Sequence, residues 1–280
     1  MNEITRLLQQ YLAGARFEVL PLRGVAEQVA ALPPATTVTV TSSPKKGIEA
    51  TLDLAAQLRG QGHHVVPHLA ARLVHDPAHL SALLDRFEGL GLTELFVVAG
   101  DSPEPVGRFP DALSLLRAID ELGRRPPRVG ITGYPERHAF IPDASTIRAM
   151  ADKARHADYI VSQICFDAHR LATWVKDVRE RGVDLPIHIG VPGVVDVHRL
   201  LRISLKIGLG ESLRFLRKQH GVVTKLLTRY TPEELFDELA PYLVDPSYGI
   251  AGWHFFTFNE IEKTVQWRQD LVARLGEVPA

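Results

Sequence analysis

The chain has a single cysteine, Cys165, among 280 residues. It can therefore form neither an intramolecular disulfide nor a Cys-x-x-Cys metal knuckle. It also lacks an excess of either charge. Thirty-two Lys and Arg stand against thirty-three Asp and Glu, and the two signs are mixed along the sequence. That balance removes the electrostatic footprint of a nucleic-acid binder. The basic cluster Arg214, Arg217, Lys218 and His220 is short and reads as a solvated helix face. No run approaches the roughly 20 apolar residues needed to span a bilayer. The start, Met1 to Leu12, alternates polar and apolar residues at helical spacing and has no signal-peptide core. No Gly-x-Gly-x-x-Gly follows the first strand, which argues against a dinucleotide-binding Rossmann fold. A soluble, cytoplasmic protein without nucleic-acid or membrane partners is expected; its oligomeric state stays open, a homo-oligomer included.

What is present is a hydrophobic content of 45%, arranged as short apolar runs separated by helical periodicity. The run Leu95-Phe96-Val97-Val98-Ala99 has no polar alternation and stops at Gly100-Asp101-Ser102-Pro103. It reads as a strand buried on both faces, as in parallel sheets. A carboxylate at such a strand's end lies where open α/β sheets and (β/α)8 barrels keep their chemistry. Asp101 is thus either a working carboxylate or a turn-capping one.

Further strands are predicted over 16–21, 37–42, 64–69, 128–135, 158–166, 186–191 and 252–258. Helical spacing covers 48–58, 80–88, 112–122, 147–157 and 171–178. Gly60, Gly89, Gly123 and Gly182 follow four of these helices as candidate left-handed caps. Eight strands alternating with helices predict a (β/α)8 barrel as a single domain over 1–280. Extra helices are expected between strands seven and eight, around Leu200, around Leu213 and Leu216, and around Leu235. An open doubly wound sheet is the alternative. Cys165, inside the sixth run, reads as a buried, inert thiol.

A barrel would gather Glu18, Thr41, His68, Asp101, Tyr134 with His138, Gln163, and His254 or Thr257 at one mouth. Two carboxylates and an amide facing an apolar cavity suit a cationic, hydrogen-bonding heterocycle better than a metal, and strand one offers Phe17-Glu18-Val19 in place of a His-x-His pair. No metal site is expected.

Phe17-Glu18, Pro67-His68-Leu69, Gly100-Asp101-Ser102-Pro103, Gly133-Tyr134-Pro135-Glu136-Arg137-His138, Gln163-x-x-Phe166-Asp167 and His254-Phe255-Phe256-Thr257-Phe258-Asn259 follow one another on successive barrel strands. In that order they resemble the methylenetetrahydrofolate reductase family over about residues 16 to 260. The resemblance implies reduction of 5,10-methylenetetrahydrofolate to 5-methyltetrahydrofolate, or its reverse, with NADH or NADPH, usually through FAD. It places Glu18 as the proton donor and Asp101 as the anion that favours the iminium cation. Gln163, Phe166 and Asp101 would contact the folate. Thr41, His68, Gly100, Tyr134, His138 and Lys153 would lie against FAD.

The chain departs from the family pattern at several positions. Ala99 replaces an Arg before Gly-Asp, and Ser145, Arg148 and Asp152 stand where Asp, Asn and Lys are usual, with Lys153 one step on. Arg199 stands at a position often Gln, and Glu260 replaces the Arg of the terminal Thr-Leu-Asn-Arg pattern. Two hydride routes follow, through FAD or directly from the nicotinamide. The alternatives in function are a pterin-binding methyltransferase barrel and a non-catalytic folate-binding protein.

Overall fold

The computed structural model describes residues 2–136, 150–206 and 229–276. Among them, eight parallel strands close into a barrel. In chain order these are β1 (Arg16–Val19), β2 (Thr37–Val40), β3 (His64–Ala70), β4 (Glu94–Val98), β5 (Arg128–Gly133), β6 (Tyr159–Ser162) and β7 (Ile187–Pro192). After an antiparallel ribbon of β8 (Val195–Asp196) and β9 (Arg229–Tyr230) comes β10 (Ile250–Phe256), which pairs with both β7 and β1 and closes the ring. The (β/α)8 expectation holds, and the open sheet is excluded. Around the ring lie α1 (Glu3–Ala13), α2 (Val25–Val29), α3 (Gly47–Gly60), α4 (Pro77–Gly89), α5 (Ala112–Glu121), α6 (Ala168–Glu180), α7 (Val197–Lys206), α8 (Glu233–Leu243) and α9 (Ile261–Gly276). No helix among the described residues is long and apolar enough to cross a membrane.

Local chemistry sets the helix starts. Asp76 accepts a hydrogen bond from His79 N–H with Pro77 opening α4, and Asp111 and Ser114 form a reciprocal capping box on α5. Strand residues alternate. Phe17, Val19, Val38, Val40, Val65, Val97, Ile131 and Phe255 face outward into the main core beneath the helices. Val66, Phe96, Tyr159 and Val161 form a separate cluster inside the ring. Two glycines make that interior fit. A Cβ on Gly130 would lie 2.2 Å from Tyr159 Cζ, and one on Gly190 would lie 2.0 Å from the Ser162 carbonyl oxygen.

The N-terminal floor of the barrel is polar. Arg16 Nη2 donates to Glu94 Oε1 at 2.6 Å and to the Tyr159 hydroxyl at 3.0 Å. The Arg16 and Arg128 guanidinium carbons lie 4.6 Å and 4.7 Å from the Tyr159 ring centroid. Beside them His188 meets the Tyr159 ring edge-on, and burial pushes its pKa down to about 2, so it stays neutral.

The structure corrects some sequence expectations. Gly60 and Gly89 end α3 and α4 as their last residues, and the left-handed turns fall two residues later at Gly62 (φ 86°) and Gly91 (φ 64°). Gly123 and Gly182 do take positive φ. The sixth strand stops at Ser162, so Cys165 lies in the β6–α6 connection, buried and free of disulfide. The helices around Leu200 and Leu235 are α7 and α8. Leu213, Leu216 and the basic cluster Arg214 to His220 lie outside the described residues.

Candidate active site

Phe17 and Val19 are fully buried on the outer face of β1, and the alternation turns Glu18 into the barrel. There its carboxyl meets two imidazoles, His254 Nε2 at 3.2 Å and His68 Nε2 at 3.8 Å. Burial raises the Glu18 pKa to about 7, opposed by the His68 charge. The same burial, overcoming the attraction of Glu18, lowers His68 to about 4; burial and the Arg16 cation lower His254 to about 3. Near neutrality the imidazoles are therefore neutral; His254 shares a hydrogen bond with Glu18, whereas His68 stands beyond hydrogen-bond reach of it. His254 Nδ1 and His68 Nε2 are buried without a hydrogen-bond partner among the described residues.

The backbone of Glu18 is held as firmly as its side chain. Thr257 Oγ1 donates to the Glu18 carbonyl at 2.6 Å. Asn259 then mimics a strand neighbour, accepting from Leu20 N–H at 2.9 Å and donating to Leu20 O at 3.1 Å. To do so the chain takes left-handed φ at Phe258 (50°) and Asn259 (62°). That strain at two non-glycine residues lies directly beside the acid.

Asp101 lies three residues beyond β4, exposed at the C-terminal mouth. Gly100 enters the turn at φ 92°. The local side-chain cap is Ser102, whose hydroxyl donates to Glu104 O at 2.6 Å. Burial raises the Tyr134 pKa, and the Asp101 charge adds to that rise, so the two groups feel each other across the β4 and β5 ends. In the ring, Glu18 and Asp101 stand on strands three apart with their C-terminal ends at the same mouth.

Gln163 follows β6 directly. Its backbone N–H donates to Gly133 O at 2.7 Å, and its Oε1 accepts from Ile164 N–H at 2.9 Å, which fixes the amide. Phe166 is buried with Ile164, Val195 and Leu200, against partly buried Tyr230, Phe256 and Phe258. This apolar cluster stands apart from the main core on the β6, β7 and β10 side. Thr41 continues β2, its N–H bonded to Val19 O. Ser42 Oγ ties the next residue to His68 O at 2.5 Å. Partly buried Lys153 has its pKa lowered by burial to about 8, against the attraction of Asp111. His138, Ser145 and Arg148 lie outside the described residues.

Two departures from the family pattern are a matched pair. Arg199 Nη1 donates to Glu260 Oε1 at 2.5 Å, its Nη2 donates to Phe258 O at 2.8 Å, and Lys263 bonds the other Glu260 oxygen at 2.6 Å. The turn that holds Glu18 is thereby also anchored to α7. A cavity of about 440 Å³ reaches the site only at Tyr134, between it and Asp167, Arg170 and Trp174; neither Glu18 nor Asp101 lines it.

The model of the methylenetetrahydrofolate reductase family matches residues 22–210. A methylenetetrahydrofolate reductase 2 of Saccharomyces cerevisiae is 25% identical over 188 residues, 60% of this chain and 30% of that protein. A methylenetetrahydrofolate reductase 1 of Schizosaccharomyces pombe is 26% identical over 212 residues, 70% of this chain and 33% of that protein. The chain thus spans about a third of the length of these curated relatives. An uncharacterized protein from Clostridium thermocellum, which binds two copies of 5-methyl-5,6,7,8-tetrahydrofolic acid, shares the fold with a TM-score of 0.66 at 13% identity, covering 96% of this chain and 99% of that one. With a family match across more than half of its residues and a closed barrel under it, the chain belongs to the methylenetetrahydrofolate reductase family.

Proposed function

We propose that this chain reduces 5,10-methylenetetrahydrofolate to 5-methyltetrahydrofolate with NADH or NADPH, Glu18 serving as the acid. The observation that carries this reading is a carboxyl buried between two neutral imidazoles, with a pKa of about 7. An ordinary glutamic acid is almost wholly ionised at neutral pH, whereas this one still carries its proton in a substantial share of the molecules. Proton transfer to the departing folate nitrogen breaks its bond to the bridging methylene and leaves the 5-iminium cation. Hydride addition to that methylene carbon then yields the methyl group and the oxidised nicotinamide. Asp101, exposed at the same mouth, offers the negative charge that favours the cation, and Gln163 offers an amide to the pterin edge. The folate-binding neighbour of like fold supports the substrate class.

Among the described residues expected to hold FAD, the cations that its diphosphate would need are few. Of those described, only Lys153 is a cation near neutrality, and it faces Asp111 with Asp152 beside it in sequence. His68 is neutral, and Ala99 brings no charge. We therefore favour hydride transfer directly from the nicotinamide.

The test is nicotinamide oxidation by the purified protein with and without 5,10-methylenetetrahydrofolate, together with its visible spectrum. Folate-dependent oxidation yielding 5-methyltetrahydrofolate from a colourless protein is expected. A flavin spectrum would overturn the direct route alone. Folate binding without turnover would replace the enzyme by a binding protein, and methyl transfer without nicotinamide consumption would make it a methyltransferase.

A further inference from the structure

The loop 99–110 carries Asp101 from the end of β4 to the start of α5, and it winds around one residue of the neighbouring strand connection. Arg72 lies in the 3-10 turn Ala71–Leu73 that follows β3. Its N–H donates to Ala99 O at 3.0 Å, and its carbonyl accepts from Val106 N–H at 3.0 Å. Its side chain donates from Nη1 to Ser102 O and from Nε to Pro110 O, both at 2.9 Å. One residue thus grips the loop before Asp101, just after it, and at its far end.

The packing agrees with the hydrogen bonds. Arg108 N–H donates to His75 O at 2.9 Å. A Cβ on Gly107 would lie 1.8 Å from that same carbonyl oxygen, and a Cβ on Gly100 would lie 3.0 Å from Ala70 Cβ. The whole loop is laid against the β3–α4 connection. Two carbonyls from distant points of a loop suit a planar guanidinium, whose donors leave in fixed directions; an ammonium has no such fork.

We propose that Arg72 is a positioning residue that fixes the Asp101 loop, and with it the Asp101 carboxylate, over the mouth of the barrel. The role of Asp101 toward the pterin rests on the function proposed above; the anchoring of the loop does not. The test combines hydrogen exchange with binding of 5-methyltetrahydrofolate to the wild type, Arg72→Gln, Arg72→Lys, Asp101→Asn and Arg72→Gln/Asp101→Asn. In Arg72→Gln and Arg72→Lys, amides of 99–110 should exchange about tenfold faster or more, while those of β3 and β4 keep their protection. Arg72→Gln should weaken binding about tenfold in the wild-type background and less than about twofold once Asp101 is Asn, because the Arg acts through the carboxylate.

Unchanged exchange in 99–110 would overturn the anchor. An undiminished Arg72→Gln effect in the Asp101→Asn background would overturn its action through Asp101. If Asp101→Asn alone binds the folate as tightly as wild type, the pterin role of Asp101 fails, and the exchange data still decide whether Arg72 holds the loop.

Discussion

Glu18→Gln should abolish most turnover and, above neutral pH, make the protein more stable than the wild type. The amide keeps the size and hydrogen-bonding shape of the acid but has no proton to give. Loss of a positioned general acid lowers turnover by about 10²- to 10⁴-fold. The stability effect follows from linkage. The Glu18 pKa rises from 4.5 in the unfolded chain to about 7 in the folded one. Below pH 4.5 both states hold the proton and folding bears no cost. As pH rises from 4.5 to 7 the unfolded chain releases its proton first and stability falls, by about 3 kcal/mol at most.

The glutamine variant escapes that loss. His68, His188 and His254, with folded pKa values held below the ordinary 6.5, act with the opposite sign, destabilising the fold as pH falls below that value. They are common to both proteins and largely cancel in the comparison. Urea unfolding at about pH 5 and about pH 8 should show the stability gap opening at the higher pH. A pH-independent gap would place Glu18 in an ordinary solvated environment.

Arg16→Met should be the most damaging single change to the fold. Arg16 is 3% exposed and bonds Glu94, itself 9% exposed, inside the ring. Removing the cation leaves the carboxylate with the Tyr159 hydroxyl and with Arg128 as its one remaining cation, 3.7 Å away and half open to solvent. Breaking a buried pair from one side costs about 3 to 5 kcal/mol, because a charge is left buried without its partner. Replacing both groups, as in Arg16→Met/Glu94→Met, should recover most of that loss. Denaturant midpoints of the three proteins measure both effects. A cost below about 1 kcal/mol for Arg16→Met alone would mean that Glu94 is already satisfied by Arg128 and the Tyr159 hydroxyl. The floor also bears on the site, since the Arg16 charge helps to hold His254 and His68 neutral beside the acid.

Much of this was legible in the sequence because barrel strands announce themselves. The run at 95–99 is apolar on both faces, as a strand covered on both sides requires, and the run at 37–42 is β-branched almost throughout. Glu18 was legible as a lone carboxylate between Phe17 and Val19 on the first strand, and the structure turns it into the barrel. What the sequence did not show is what depends on backbone carbonyls meeting distant side chains. Arg72 stands in an undistinguished Ala-Ala-Arg-Leu, and its importance lies in the carbonyls of Ser102 and Pro110, which no side-chain pattern records. Asn259 belonged to a visible motif, but its bonding to Leu20 needed the β1–β10 closure. Arg199 and Glu260 read separately as two departures, and only the structure brings them into contact. The ribbon of β8 and β9, two residues to a strand, is too short for any periodicity to reveal.

The central claim is that Glu18 still carries its proton in a substantial share of the molecules at neutral pH. Its most direct test is a 13C titration of the glutamate side-chain carboxyls in the wild type and in Glu18→Gln. A carboxyl resonance that titrates near pH 7 in the wild type and vanishes in the variant is expected. A Glu18 resonance that titrates near the ordinary 4.5 would contradict the claim and remove the acid from the proposed reaction.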